Sequence, residues 1–439
     1  MLRAELARQR GDVEHTIHFA ELARTHADEG DGYLRFFTSW NLAVAKQMQG
    51  RLGEAEDALA ELAADPWATG LNRYFAVRTY YTLGQVQRAR GRLSAALQTC
   101  QQGLELATEA GRPALPAAGV AHVGIAEVLY ERNELYAALE QAMRSVELCR
   151  QIGYAQWLVT GLAALARIRQ ALGDQAGALE AIGEGERLVP NPETIVDIIF
   201  PVAVQRARLL LAQGDVEAAA RWCAERGLGV EDEPSYLRER EHLVLARVLL
   251  AQEEPDQAFM LLEGLSEEAE AAERAGSVIE ILALQALALW DKTEKEGAMN
   301  ALSRALSLAE PEGYVRTFVD EGSQMAVLLS KVLEVQQRGR LDLPVPSHYL
   351  RKLLAAIERG ETLLAAGRPR SSGRLAEPLS EREMEVLVLI ATGKTNQNIA
   401  SELFVAESTV KSHIKNIYHK LNVRSRTQAL ARARELHLL

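Results

Sequence analysis

The stretch RGRLSAA at residues 90–96 returns along the chain as QGRLGEA at 49–55 and as RNELYAA at 132–138. The same frame continues at Leu172-Gly173-Asp174 with Ala178, Gln213-Gly214-Asp215 with Ala219, Gln252-Glu253 with Ala258 and Thr293 with Ala298. It begins at Gly11-Asp12, where Thr16 stands in place of the alanine. Successive turn positions lie 39 to 42 residues apart, and a fixed period of that size specifies a repeat architecture. Each unit reads as a helix, a Gly or Asn turn suited to the left-handed conformation that ends helices, and a second helix whose early alanine lets two backbones approach. Leu162, Leu165, Ile168 and Leu172 before a turn, and Ala178, Leu179 and Ile182 after it, keep helical spacing. One hairpin cannot bury its apolar face alone, so the units are expected to stack into a superhelix with a long concave surface.

The composition agrees. Of the 439 residues 48% are hydrophobic and only 5% aromatic, which suits helices packed through small side chains. Trp40, Trp157, Trp222 and Trp290 fall within the repeat helices and read as inter-repeat packing. Cys100, Cys149 and Cys223 are far apart, without metal-ligand or disulfide spacing, and read as buried core thiols in a reducing compartment. The amino terminus has no signal-peptide core and no run is long enough for a membrane span, so a cytoplasmic protein is expected.

The period breaks twice, at PEGYVRTFVDEG (311–322) and at DLPVPSHYLRKLLAAI (342–357), and a breaker-rich stretch follows from Gly367 to Gly373. The expected organisation is a repeat domain over 1–310, a helical cap over 311–360, a linker over 361–378 and a last domain over 379–439. The fold class is all-α: a superhelical array of helical hairpins followed by a four-helix domain.

Charge separates the two parts. The net charge of −11 divides into −14 before residue 379 and +3 after it, and between 405 and 434 seven basic residues face one acid, Glu407. In the last domain Ser380 and Glu383 have the spacing of a capping box, with Leu379 and Met384 as its hydrophobic staple. Val386, Leu387 and Ile390 form the inner face of the first helix, which Gly393 stops. Thr395 caps a second helix with Ile399, Ala400 and Leu403 inward, and a turn through Phe404 and Val405 leads to the third. That third helix carries Val410, Ile414, Ile417 and Leu421 on one face and Ser408, Lys411, Ser412, Lys415 and His419 on the other. Ser425 with Gln428 opens a fourth, bearing Arg432 and Arg434. Two short helices and a tight turn, the second helix basic outward, suit a helix-turn-helix set in the major groove of double-stranded DNA. Lys411 and Lys415 could reach guanine O6 and N7 and Ser412 either kind of base pair, with Thr409 and Arg426 on phosphates.

The strings LSERE at 379–383, IATGKTN at 390–396, TVKSH at 409–413, Lys420-Leu421 and RTQA at 426–429 together resemble the LuxR-family DNA-binding domain over essentially all of 379–439. The resemblance implies base contacts from Lys411, Ser412 and Lys415. It implies phosphate contacts from Thr395, Asn396, Ser408, Thr409, His419, Arg426 and Thr427. It also implies pairing of two domains on a two-fold operator through Ala429, Leu430, Ala433 and Leu436, a homodimer on DNA. Ala406 stands where the family has a capping Ser, a loss of about 1 kcal/mol, and Asn398 replaces a Glu that would complete a capping box with Thr395.

The repeats resemble tetratricopeptide repeats lengthened by several residues. Together with EGYVRTFVDEG at 312–322 and the LuxR-like domain they resemble the carboxy-terminal half of MalT-type regulators. In that group the repeats sense an inducer or dock a protein, and an ATPase normally precedes them. Gly393-Lys394-Thr395 imitates the end of a phosphate-binding loop, but Val388 stands where its first glycine belongs, and a short regulator and a piece of a longer one both fit. The expectation is therefore a DNA-binding transcriptional regulator whose repeats sense an unknown ligand or protein. The alternative is an adaptor that recruits a partner to DNA without small-molecule sensing. No nucleophile triad or metal-ligand spacing emerges, so neither catalysis, nor a metal, nor a cofactor is expected.

Overall fold

A computed structural model of the chain describes residues 2–26, 31–69, 72–108, 115–153, 155–189, 202–338, 345–367, 380–391, 394–403, 405–420, 429 and 433. Among them every regular element is a helix, and the chain divides into two compact units, 1–364 and 365–439. The first opens with α1 (Leu2–Gln9) and α2 (Val13–Thr25), then α3 (Gly32–Met48) and α4 (Leu52–Ala63), the short α5 (Pro66–Thr69), and α6 (Arg73–Ala89) with α7 (Leu93–Ala107). It continues through α8 (Ala118–Glu131) and α9 (Leu135–Ile152), α10 (Ala155–Ala171) and α11 (Gln175–Leu188), and α12 (Val202–Ala212) and α13 (Val216–Glu225). The last two hairpins are α14 (Glu239–Ala251) with α15 (Pro255–Ala271) and α16 (Ala275–Asp291) with α17 (Lys295–Ala309).

The hairpin turns fall at the repeated positions. From Gly11 to Thr293 all eight turn residues have φ between +62° and +85°, including the non-glycines Asn133, Glu253 and Thr293. The next amide reaches back to close the preceding helix: Arg51 N–H donates to the Lys46 carbonyl at 3.0 Å, Arg92 to Gln87 at 2.9 Å and Glu254 to Leu249 at 2.9 Å. Ala55, Ala96, Ala138, Ala178, Ala219, Ala258 and Ala298 are all buried. Thr16 is buried in the same place, and its hydroxyl donates to the Asp12 carbonyl at 2.6 Å, so the extra polar atom is satisfied. Trp40 and Trp157 are core residues, and Trp222 and Trp290 pack against the core half-buried. The three cysteines are buried free thiols, and burial with the nearby Glu127 carboxylate pushes Cys100 up to about 12.

The superhelix returns on itself. After α17 the chain turns through α18 (Arg316–Val319) into α19 (Gly322–Gln337) and α20 (Ser347–Gly367). The segment 314–321 docks on the α8–α9 turn, nearly 190 residues earlier. Val315 N–H donates to the Glu131 carbonyl at 2.9 Å, the Thr317 amide and hydroxyl each donate to Glu131 Oε1 at 2.8 Å, and Tyr130 Oη donates to Asp320 Oδ2 at 2.7 Å. One hydrophobic core joins Leu93, Ala96 and Val128 to Ile281, Leu284 and Phe318. A stack in which each repeat meets only its neighbours would not do this. Residues 314–321 thus form a strap across the early repeats. Within the expected linker, α20 runs to Gly367, because no residue from 361 to 366 breaks a helix. Residues 368–378 lie outside the described ones.

Candidate nucleic-acid interface

Three described helices build the second unit: α21 (Glu381–Ala391), α22 (Asn396–Glu402) and α23 (Glu407–Lys420). The entry to α21 is a reciprocal capping box, with Ser380 N–H donating to Glu383 Oε2 at 2.8 Å and Glu383 N–H to Ser380 Oγ at 3.3 Å. Glu383 is buried and also receives Lys420 Nζ at 2.8 Å, which fixes the end of α23 against the start of α21. Burial pushes the Glu383 carboxyl up, but Lys420 and the Ser380 amide and hydroxyl outweigh it and hold it below its ordinary value. Arg382 donates to the Leu403 carbonyl at 2.8 Å and Lys394 pairs with Glu402, so the carboxy-terminal end of α22 is held twice. Thr395 caps α22, its hydroxyl accepting from Asn398 N–H at 3.3 Å.

Val386, Leu387, Ile390, Ile399, Val410 and Ile417 are fully buried in one core, with Met384, Leu403 and Ile414 packed on it. That core fixes which side of α23 faces out. Ser408, Thr409, Lys411, Ser412 and Lys415 are all exposed, so the residues expected to read bases share one accessible face. Lys415 has no ion-pair partner among the described residues. Lys411 does: its ammonium lies 2.9 Å from Glu407, one helical turn back. Glu407, the one acid between 405 and 434, is the partner, and its spacing of four residues from Lys411 is the signal in the sequence for the pair. Thr395 is exposed and Asn396 half-buried at the start of α22.

Two of the expected pairing residues need correction. Ala429 and Ala433 are completely buried in the domain's own core with Val386 and Ile417, so their side chains offer no surface to a second domain. Their spacing of four, which suggests an interface stripe, is equally the inward stripe of a helix packing on its own unit. Leu379, Gly393, Phe404, Leu421, Arg426, Thr427, Leu430, Leu436 and the His419 side chain lie outside what is described. Among the described residues no cluster of His, Cys, Asp and Glu could hold a metal ion, and no helix is long and apolar enough to cross a membrane.

Residues 1–335 match the family model described as MalT-like TPR region, and residues 377–433 match that for bacterial regulatory proteins of the luxR family. The chain is 28% identical, over 99% of its length, to the HTH-type transcriptional regulator MalT of Yersinia pestis (strain Pestoides F). It is 25% identical, again over 99%, to the regulator of that name from Klebsiella pneumoniae subsp. pneumoniae. It spans about half the length of these relatives, 50% and 49% respectively. Among solved structures it resembles a Rap protein complexed with Competence and Sporulation Factor, with a TM-score of 0.50, 15% identity, and coverage of 82% of this chain and 99% of that one. At that identity the likeness concerns the fold alone.

Proposed function

The chain belongs to the MalT-like TPR family over residues 1–335 and carries a luxR-family domain at 377–433, and on that premise we propose that it is a sequence-specific DNA-binding transcriptional regulator whose repeats sense a ligand or protein partner. In this reading α23 enters the major groove. Lys411 and Lys415 donate to guanine O6 and N7 and Ser412 reads a neighbouring pair, while Thr395, Asn396, Ser408, Thr409, His419, Arg426 and Thr427 set the register on phosphates. Two such domains occupy a two-fold site, and with Ala429 and Ala433 turned inward the pairing falls to Leu430 and Leu436. The reading requires no catalytic chemistry.

The observation that carries it is the exposed face of α23, where Lys411, Ser412 and Lys415 stand together above a core that fixes their direction. Selection from a random DNA pool with the intact chain and with a Lys411→Ala/Lys415→Ala variant, at two salt concentrations, tests it. Enrichment of a two-fold motif by the intact chain and its loss in the variant is the expected result. Failure of both to enrich any motif at either salt concentration would overturn the reading.

A further inference from the structure

Between the inner helices of the repeats and the strap lies a cavity of about 410 Å³. Its wall carries Arg167, Arg208, Arg247 and Arg316 against Asp320, Glu321 and the exposed Glu361 at the rim. The acids nearest the arginines are already engaged. Asp320 takes Arg316 and the Tyr130 hydroxyl, Glu321 takes Arg247 at 2.6 Å, and Glu280 beside them takes Arg247 at 2.7 Å. Arg208 is left with longer contacts, 3.3 Å to Glu280 and 4.0 Å to Asp320. Burial, with Arg247 and Arg167 close by, lowers its pKa, so the protein supplies less anionic charge around it than it could use.

Two further observations point the same way. Arg167 Nε, Arg316 Nε and Gln170 Nε2 are buried donors with no acceptor, and all three residues line this cavity. Arg316 and Gln170 are more than nine-tenths buried. The 16-residue helix α19 begins at the cavity, with Gly322, Ser323 and Gln324 on its wall, where the first amides of a helix have no intrahelical acceptor and carry partial positive charge. Buried donors are costly to leave unmatched, and a site with surplus donors is completed by an acceptor-rich guest.

We propose that this cavity binds a small anion bearing carboxylate or phosphate groups, and that the Asp320 carboxylate occupies its arginines when the anion is absent. The inference rests on the reading of the repeats as a sensing domain and gives that ligand a chemical class. An anion that takes Arg167, Arg208 and Arg316 from Asp320 loosens one anchor of the strap, because Asp320 also holds Tyr130 across the superhelical return.

Calorimetric titration of the full chain with pyrophosphate and, separately, with citrate, at matched ionic strength and with sorbitol as the neutral control, tests the proposal without DNA. Saturable binding of at least one anion and none of sorbitol is expected, and which anion binds distinguishes phosphate from carboxylate recognition. Arg208→Gln should weaken the binding at least tenfold and Asp320→Asn should tighten it severalfold. Ser323→Asp guards against misfolding as the cause of a loss, because a carboxylate in the first turn of α19 favours the helix while repelling the anion; it too should weaken binding at least tenfold. Lys411→Ala/Lys415→Ala should bind the anions as the unaltered chain does, so a failed DNA reading leaves this result untouched. No saturation by either anion overturns the proposal. So does binding that survives both Arg208→Gln and Ser323→Asp, or that disappears with the two recognition lysines.

Discussion

If α23 reads DNA as proposed, Glu407 sets the terms on which Lys411 meets it. An ammonium held 2.9 Å from a carboxylate must give up that partner to reach a base, and near phosphates the carboxylate itself is repelled. The cost is small for an exposed pair, but it falls on every encounter, while only the right base pair returns it through a bidentate contact. Glu407→Gln is therefore expected to raise affinity for random-sequence DNA by about twofold or more and to narrow the gap between operator and random DNA, measured by fluorescence anisotropy at two salt concentrations. Glu383 makes a second prediction. A carboxylate held below its ordinary value stabilises the folded domain above that value and loses this contribution as pH falls through the depressed one. Glu383→Gln should cost the domain about 1–2 kcal/mol near neutral pH through its cap and its lysine. It should also flatten the decline in thermal stability of the unsubstituted domain between pH 5 and about pH 3. The capping box was legible from Ser380 and Glu383 alone; the additional Lys420 contact, 37 residues away, was not, because it depends on how α23 packs on α21.

At the scale of elements the turns did most to make the sequence readable. A glycine, asparagine or polar residue every forty or so positions, followed by a small residue, identifies all eight hairpins because both requirements are local: a left-handed backbone and a close helix approach. The same geometry makes graded predictions. Gly173 and Gly214 share φ of +85°, but a Cβ at Gly173 would lie 2.6 Å from the Leu363 carbonyl oxygen, whereas at Gly214 it would meet nothing within 4 Å. Gly214→Ala should cost about 1–2 kcal/mol from the backbone conformation. Gly173→Ala should cost more because α20 must move, and the two denaturation midpoints will show the difference. Thr293, β-branched at φ +65°, predicts the reverse: Thr293→Gly should raise stability by about 1 kcal/mol in the same assay. In the second unit, Ala429 and Ala433 were the residues read least well. An Ala429/Ala433 stripe looks the same from the sequence whether it faces a partner or its own core, and only the burial of both residues decides it.

For the whole repeat unit, period and composition show the stacking but not the closure. Nothing in PEGYVRTFVDEG states that Thr317 will meet Glu131 or Tyr130 will meet Asp320, since such contacts depend on how far the superhelix turns over several repeats. An open repeat array can unravel from its ends, repeat by repeat. Here the core links α7 and α8 to α16 and α18, so the unit is expected to unfold as one cooperative block. Hydrogen exchange should report similar opening energies for the α8–α9 hairpin and for α16. Thr317→Val, which removes one of the two donors to Glu131 Oε1, should lower protection on both sides of the contact together.

The returning strap also orders events in time. The α8–α9 turn leaves the ribosome long before residues 315–320, and at ordinary elongation speeds the interval is roughly ten to forty seconds. Throughout it, Glu131 and Tyr130 and the apolar surface around Val128 await a segment that has not been made. The early repeats must therefore persist on the nascent chain without their closing contact, exposed to whatever chaperone or neighbouring chain arrives first. Slower translation between residues 135 and 315 would lengthen that exposure without changing the finished molecule.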